Sequence, residues 1–131
     1  FGLPEITLGF FPLSGAPGKL PRGISRTMAN DMLFTGERID AKKAYEYGIV
    51  SRVVPADELL PTAQAMAAKI ASYAPLAVRS MLELVKRQGN RPEGEAMRLA
   101  STMRWAIGQT SDAKEGPRAF AEKRTPVFKG E

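Results

Sequence analysis

One carboxylate near the start of the chain is placed where it could transfer a proton. Glu5 follows Pro4 directly, in the mostly apolar stretch FGLPEITLGFFPLSGAPGKL. Pro4 fixes its own backbone angle and pushes Leu3 towards an extended conformation, so residues 1–3 are predicted to end a strand. Ligands collect at the carboxyl ends of strands in α/β proteins, and a carboxylate in apolar surroundings suits general acid–base chemistry. The alternative is that Glu5 is an ordinary partner of a helix dipole.

The residue types that are missing narrow the chemistry further. The 131 residues include no Cys and no His, which excludes disulfides, thiolate metal sites and Ser-His-Asp catalysis. Proton transfer is left to carboxylates, Lys and Tyr, and no metal site is predicted. Hydrophobic residues make up 44% of the chain, enough for a packed interior. No apolar run approaches the roughly 18 residues that span a bilayer, so a protein outside the membrane is predicted.

The charge balance allows a polyanionic partner without requiring one. The net charge is +5, from 19 Lys and Arg against 14 Asp and Glu. The basic residues are scattered along the chain and do not form one stripe, which is typical of a solvated surface. The phosphates of a nucleotide-bearing ligand would suit this excess as well as RNA would.

The elements that must position Glu5 are predicted to be few strands and many helices. After residues 1–3, the best strand candidate is Ile49–Val54, and two short strands do not make an independently stable sheet. We therefore expect the C-terminal part of a longer α/β protein. Helices are predicted from Pro17, from Ser25 to a stop at Gly36, and from a cap at Asp40 to a stop at Gly48.

The second half of the sequence is predicted to be helical throughout. Apolar residues recur at three- and four-residue spacing, and their Met and aromatic members are interpreted as core residues. A helix opens at Pro75, and a final short helix is predicted to be capped by Ser111 and Asp112. The break between the middle helices is assigned to Gly89, Asn90 and Pro92. We divide the chain into 1–55, the end of an α/β core with the active-site segment, and 56–131, a helical region.

Three segments carry a resemblance to a known family. FGLPEITLGFFP, LFTGERIDAKKAYEYGIVSRVVPADELL and EGPRAFAEKRTPVFKG together resemble the C-terminal half of the enoyl-CoA hydratase/isomerase (crotonase) family, and the likeness covers essentially the whole chain. The resemblance implies an α/β fold, here the C-terminal part of a crotonase-like ββα spiral followed by a helical trimerisation region. It also implies a homotrimer or hexamer in the cytoplasm, or in the mitochondrial matrix.

The family's site residues carry over position by position. The resemblance makes Glu5 the second catalytic glutamate, while the first glutamate and the oxyanion-hole donors belong to an N-terminal half of the same protein. It makes Phe120 and Lys123 the residues that contact CoA. Leu13 stands where hydratases of the family have a glycine, so its side chain would narrow the acyl pocket, or exclude water and favour isomerisation.

Other residues of the same segment refine the expected reaction. Phe10 and Phe11 either line the acyl pocket or pack in the core. The dehalogenase relatives place an Asp near Leu13 or Ser14, and its absence from both positions disfavours that chemistry.

The expected function is hydration or isomerisation of an enoyl-CoA thioester by carboxylate proton transfer with enolate stabilisation. CoA enters as part of the substrate, and no separate cofactor is expected. This chain alone is expected to be inactive, because the resemblance places half of the machinery upstream. The alternative is a non-catalytic CoA-binding, RNA-binding or assembly member of the family. An affinity for RNA that falls steeply with salt concentration would support the RNA-binding form of this alternative.

Overall fold

The protein is described by a computed structural model that covers residues 1–89 and 91–131. Asn90, one of the residues predicted to break the middle helices, lies outside the described residues. The chain divides into two compact units, Phe1–Glu58 and Leu59–Glu131. Among the described residues, no helix is both long and apolar enough to cross a membrane, and no group of acidic residues is arranged to hold a metal ion.

The first unit is a small helical layer that begins with a turn bearing Glu5. A 3₁₀ helix, Pro4–Leu8, is called the Glu5 turn below, and it packs on the second α-helix of the chain. The following helices are α1 (Ala16–Gly23), α2 (Arg26–Thr35) and α3 (Ala41–Glu46), before a short 3₁₀ turn at Ala56–Glu58. The buried apolar side chains of α2 and α3 are Ala29, Met32 and Ala44, and Pro12 in the loop before α1 is also buried.

The predicted helix ends of this unit are confirmed. Pro17 lies in the first turn of α1, where its missing N–H costs no helical hydrogen bond. The Asp40 carboxylate accepts a hydrogen bond from the Lys43 N–H at 2.7 Å and so caps α3. Gly36 and Gly48 adopt φ values of +69° and +77°, which a residue without a Cβ adopts without strain.

The predicted strands are wrong for the described residues. Residues 1–3 and Ile49–Val54 have no strand assignment. Phe1 and Ile39 exchange two backbone hydrogen bonds of 2.8 Å, but this pairing does not extend, and the Ile49 N–H donates instead to Ala44 O at the end of α3. A strand requires a neighbouring strand to accept its ladder, and the described part of the chain provides none for Val50–Val54. The ββα spiral therefore stays a prediction.

The described part of the second unit is built of α-helices. They are α4 (Leu59–Ala71), α5 (Pro75–Gln88), α6 (Glu93–Gly108) and α7 (Ser111–Ala121). Helix α5 packs against α6, and α6 contacts α7. The predicted stripe on α6 is half-buried at every position, namely Ala96, Leu99, Ala100, Met103 and Ile107.

The prediction that the Met and aromatic residues of this half fill a core is wrong for several of them. Trp105 is 70% exposed, and Met81 and Met97 are also exposed. The reason is geometric, because a layer of helices buries the stripe along which neighbours meet and leaves the opposite faces open. Among the described residues of this unit, Ala119 is the only apolar residue that is fully buried.

The predicted cap of α7 is also wrong. Thr110 is the capping residue, and its Oγ accepts a hydrogen bond from the Ala113 N–H at 3.2 Å. Asp112 is only 3% exposed, and its carboxylate accepts the N–H groups of Lys129 and Gly130 at 2.7 and 2.8 Å. The carboxylate thus holds the tail, residues 125–131, because two backbone donors there satisfy it better than a single helical N–H.

Candidate active site

The Glu5 turn is shaped by the residues on either side of the carboxylate. Pro4 occupies the first helical position, where its fixed φ is pre-organised for a helical turn. Thr7 Oγ1 donates to Pro4 O at 2.7 Å, and the Phe10 N–H donates to Glu5 O at 3.0 Å. Gly9 ends the turn with φ +77°. These bonds fix the backbone that carries the Glu5 side chain.

Gly36 supports the turn from the side of α2. A Cβ built on Gly36 would lie 3.0 Å from Thr7 Cγ2, 3.2 Å from Ile6 Cγ2 and 3.4 Å from Pro4 Cα. Gly36 is itself buried, so the turn rests directly on the end of α2. A glycine is required there for its positive φ and also for this close approach.

The Glu5 carboxylate has an oxygen without a partner. Glu5 Oε2 is buried and accepts no hydrogen bond from the described residues. A buried acceptor left unpaired is costly, and each such group in a folded protein calls for an explanation. A carboxylate that only balanced a helix dipole would not need to be buried. The unpaired oxygen keeps a lone pair that could accept a proton, and the proton-transfer role of Glu5 stays a prediction.

The residues predicted to line an acyl pocket lie in the loop after the Glu5 turn and are exposed. Leu13 is 84% exposed, and Phe10 and Phe11 are also largely open to solvent. Among the described residues they pack in no core, which was the alternative for the two Phe residues. Contiguous exposed apolar residues mark a surface that another group is suited to cover.

An apolar cleft of about 510 Å³ is lined in part by the residues that precede the Glu5 turn, but Glu5 itself does not line it. The residues that line the cleft come from the segment before Pro4, from α1 and from positions farther along the chain. The lining residues are Phe1, Gly2, Leu3, Ala16, Lys19, Leu20, Gly23, Ile24, Met32, Gly48 and Ile49. Lys19 supplies the one ionisable side chain of this lining. The cleft is thus an apolar surface with no carboxylate for proton transfer.

The predicted CoA-contacting residues lie in the second unit, Phe120 on the last turn of α7 and Lys123 just after its cap. The Phe120 side chain is 86% exposed, and Lys123 follows three residues later with a φ of +54°. The side chain of Lys123 forms no ion pair with the described residues. An exposed ring beside an uncompensated cation is suited to a nucleotide, since the ring can stack on a base and the cation can bind a phosphate.

Sequence reasoning missed a group of charged residues around Lys123, called the Arg124 clamp below. Arg124 donates two parallel hydrogen bonds to the Glu115 carboxylate, one of them from Nη2 to Oε2 at 2.9 Å, and a third from Nε to Glu122 Oε2 at 2.6 Å. The clamp is defined as Glu115, Glu122 and Arg124. Glu115 and Arg124 are nine residues apart, so no helical spacing rule points to their contact.

The hydrogen bonds of the clamp change the acidity of its carboxylates. The bonds from Arg124, with a further one from the Val127 N–H, lower the pKa of Glu115 from 4.5 to about 2. Hydrogen bonds from Arg124 and then Arg118 also lower the pKa of Glu122. The pKa of Arg124 is raised by the same carboxylates. The clamp therefore stays fully charged at neutral pH.

Comparison with known proteins places this geometry in a family. The family model for enoyl-CoA hydratase/isomerase matches residues 1–131. A carnitinyl-CoA dehydratase from Citrobacter koseri is 39% identical over 99% of this chain and 51% of its own length. An enoyl-CoA hydratase from Mycobacterium tuberculosis is 39% identical over 98% of this chain and 48% of its own length.

Solved structures agree with the sequence comparison. The crystal structure of an enoyl-CoA hydratase from Bacillus anthracis matches with a TM-score of 0.96 and 39% identity, over 99% of this chain and 50% of that one. An enoyl-CoA hydratase subunit from Geobacillus kaustophilus matches with a TM-score of 0.94 and 37% identity, over 100% of this chain and 51% of that one. The chain thus spans about half the length of the relatives it matches. Because the family match covers every residue of the sequence, this chain belongs to the enoyl-CoA hydratase/isomerase family.

Proposed function

We propose that this chain supplies one proton-transferring carboxylate and a CoA-contacting segment to an enoyl-CoA hydratase or isomerase. The observation that carries the proposal is the buried, unpaired Oε2 of Glu5 in a chain of this family. Two relatives, a carnitinyl-CoA dehydratase and an enoyl-CoA hydratase, carry names that describe loss or addition of water on CoA thioesters. Those names support water chemistry for the protein to which this chain belongs.

The proposed reaction depends on stabilising charge that develops at the thioester. Removing a proton from the carbon next to the thioester carbonyl, or adding the water oxygen to the carbon beyond it, produces an enolate. Oriented N–H donors lower that barrier most. Glu5 would take a proton from water or from this carbon, or return one to it. In hydration, the water oxygen bonds to the carbon farther from the thioester and a proton adds to the nearer carbon.

The number of carboxylates in the site distinguishes hydration from isomerisation. Addition of water uses one group to activate water and another to deliver the proton, whereas a double-bond shift can use a single carboxylate. The other glutamate of the pair, the first in the family's order, and the oxyanion donors would lie in residues outside this chain. This placement is consistent with relatives that are about twice as long as the region matched.

The other proposed contacts follow from the exposed side chains. Phe10, Phe11 and Leu13 would line the acyl part of the substrate, and Leu13 would limit the space for water beside Glu5. Phe120 and Lys123 would contact the nucleotide part, which makes CoA a portion of the substrate and not a separate cofactor. The exposed apolar faces of α5 and α6 support assembly into a homotrimer or hexamer.

The decisive experiment replaces Glu5 in the complete protein that contains this chain. Glu5→Gln keeps the size of the side chain and removes the basic oxygen, so we expect kcat for hydration of crotonyl-CoA to fall by about 100-fold or more. Affinity for the thioester should change little, since the carboxylate acts on the reacting atoms. Hydration is followed by the loss of the ultraviolet absorbance of the conjugated thioester.

A matched variant controls for loss of charge. Glu46, the exposed last residue of α3, is replaced by Gln, and this variant should keep wild-type kcat. Unchanged thermal unfolding of Glu5→Gln would show that the variant folds. Full turnover by Glu5→Gln would refute the proposed role of Glu5.

A further inference from the structure

The last turn of α7 ends with a lysine in a position that usually holds glycine. The Lys123 N–H donates to Phe120 O at 3.1 Å, and the Arg124 N–H donates to Ala119 O at 3.0 Å. This pair of bonds is the Schellman motif, in which the residue after the helix cap takes a left-handed conformation. Lys123 has φ +54°, and it is the non-glycine residue with positive φ among residues 1–89 and 91–131.

A lysine in this conformation carries a steric cost that glycine avoids. Strained backbone at a single residue persists where the surrounding structure holds it, and it is concentrated at functional sites. The presence of lysine at position 123 is therefore best explained by a function that requires its side chain and that glycine would not provide.

The Arg124 clamp holds the backbone on both sides of Lys123. Arg124 is bound to two carboxylates, and one of them belongs to Glu122, the residue before Lys123. Glu115 also accepts the Val127 N–H at 2.9 Å, which fixes the chain beyond Arg124. Arg118 Nε donates to the second oxygen of Glu122 at 3.0 Å. The residues before and after Lys123 are thus tied back to α7.

The clamp also compensates the arginine charges near this turn but not the charge of Lys123. The charge of Arg124 is compensated by the two carboxylates of the clamp, and Arg118 is paired with Glu122. Lys123 has no such partner in the described chain. An incoming phosphate would therefore meet Lys123, next to the exposed ring of Phe120.

We propose that Glu115 and Arg124 are positioning residues for substrate binding, because they hold the strained turn that directs Lys123 at a phosphate of the acyl-CoA thioester. This inference rests on the proposed function for the identity of the ligand. Fixing the backbone of a flexible lysine lowers the conformational entropy that binding would otherwise remove. The clamp should therefore affect binding of the nucleotide part of the substrate and leave proton transfer unchanged.

The test compares two substrates that differ in the nucleotide. Crotonyl-CoA carries the phosphorylated adenosine, and crotonyl-pantetheine lacks it. In the complete protein, Arg124→Lys keeps the charge and removes the planar fork of donors. We expect KM and the calorimetric Kd for crotonyl-CoA to rise about three- to tenfold with kcat unchanged, and neither constant for crotonyl-pantetheine to change. Glu115→Gln should behave in the same way.

A double variant separates positioning from general damage. Lys123→Ala should raise the Kd for crotonyl-CoA about tenfold, and Arg124→Lys should add nothing further in that background, since both act through one ammonium group. Arg87→Lys, at the exposed pair of Arg87 with Glu83 on α5, is the matched control and should leave both constants unchanged.

The outcomes distinguish this inference from the proposed function. An equal loss of affinity for both thioesters, or additive effects of Lys123→Ala and Arg124→Lys, would overturn the positioning role. The positioning role would also be overturned if Arg124→Lys left the Kd for crotonyl-CoA unchanged while Glu5→Gln was inactive. If Glu5→Gln remains active but the binding pattern is as expected, the proposed catalytic role is wrong and the positioning role stands. A wild-type protein that does not bind crotonyl-CoA would overturn both.

Discussion

Lys123 and Glu5 each carry a local free-energy cost that the proposed use of the side chain would explain. Lys123 holds a left-handed backbone that glycine adopts freely, and Glu5 buries an oxygen without a hydrogen-bond partner. Substitutions that remove such a cost are expected to stabilise the fold while weakening the function. Glu5 was named from its sequence context and Lys123 from the family resemblance, but neither the strain nor the unpaired oxygen could be read from a sequence pattern.

Lys123→Gly is expected to raise the free energy of unfolding by about 1 kcal/mol, because glycine removes the steric strain at positive φ. The same substitution should raise KM for an acyl-CoA thioester, since the ammonium group is lost. Denaturant unfolding and steady-state kinetics measure the two effects. Lys114→Gly, in the interior of α7, is the control and should destabilise by about 1 kcal/mol. A destabilised Lys123→Gly would contradict the assignment of strain.

The stabilising effect of the Glu115 carboxylate should be constant with pH until strongly acidic conditions. Its pKa in the folded protein is about 2, below its ordinary value of 4.5, chiefly because Arg124 hydrogen-bonds to the charged form. A depressed pKa adds stability above the unfolded value, and that stability is lost as pH falls from about 4.5 through about 2. The stability difference between wild type and Glu115→Gln, measured by denaturant unfolding, should therefore shrink only below pH 4.5. A difference that changed between pH 6 and 8 would contradict the assignment.

At the scale of elements, the Glu5 turn depends on its contact with the end of α2. Gly36→Ala places a methyl group 3.0 Å from Thr7 Cγ2 and forces alanine into φ +69°. We expect the unfolding free energy to fall by about 2 to 3 kcal/mol and kcat to fall about tenfold, because the turn that carries Glu5 must move. Kinetics on the folded fraction measure the second effect.

Gly9→Ala is the matched control for the contact with α2. Gly9 also has positive φ, at +77°, but apart from Gly9 and its two chain neighbours no atom of the described residues lies within 4 Å of the position of its added Cβ. It should lose about 1 kcal/mol from backbone strain alone. Equal effects of the two variants on kcat would show that the contact with α2 does not position Glu5.

The elements predicted correctly are those that local chemistry decides. Helix ends at Gly36 and Gly48, the cap at Asp40 and the start at Pro75 follow from the residues themselves, and all four are confirmed. The strands failed because a strand is defined by a partner elsewhere in space. Two further contacts are likewise non-local, so sequence spacing did not predict them. They are the ion pair of Glu115 with Arg124 and the hydrogen bonds of Asp112 to the backbone of the tail.

At the scale of the whole chain, the described residues bury little apolar surface. The fully buried apolar residues are Ala29, Met32, Ala44 and Ala119, and three of the four are alanines. Large apolar side chains are exposed in both units, among them Leu13, Phe34 and Trp105. A small core supplies little stability, and exposed apolar patches drive association. The family resemblance was confirmed by the comparisons, and their relatives are about twice the length of the matched region.

Residues 1–131 produced alone are therefore expected to self-associate or to remain loosely packed, and to show no turnover of crotonyl-CoA. Sedimentation velocity, binding of a hydrophobic dye and near-ultraviolet circular dichroism measure the first property, and the absorbance assay measures the second. The full-length enoyl-CoA hydratase of Bacillus anthracis serves as the control and should bind little dye. A monomer that unfolds in one sharp transition without binding dye would show that the exposed apolar residues need no cover. Turnover by the isolated chain would show that Glu5 acts without a second carboxylate or oxyanion donors from other residues.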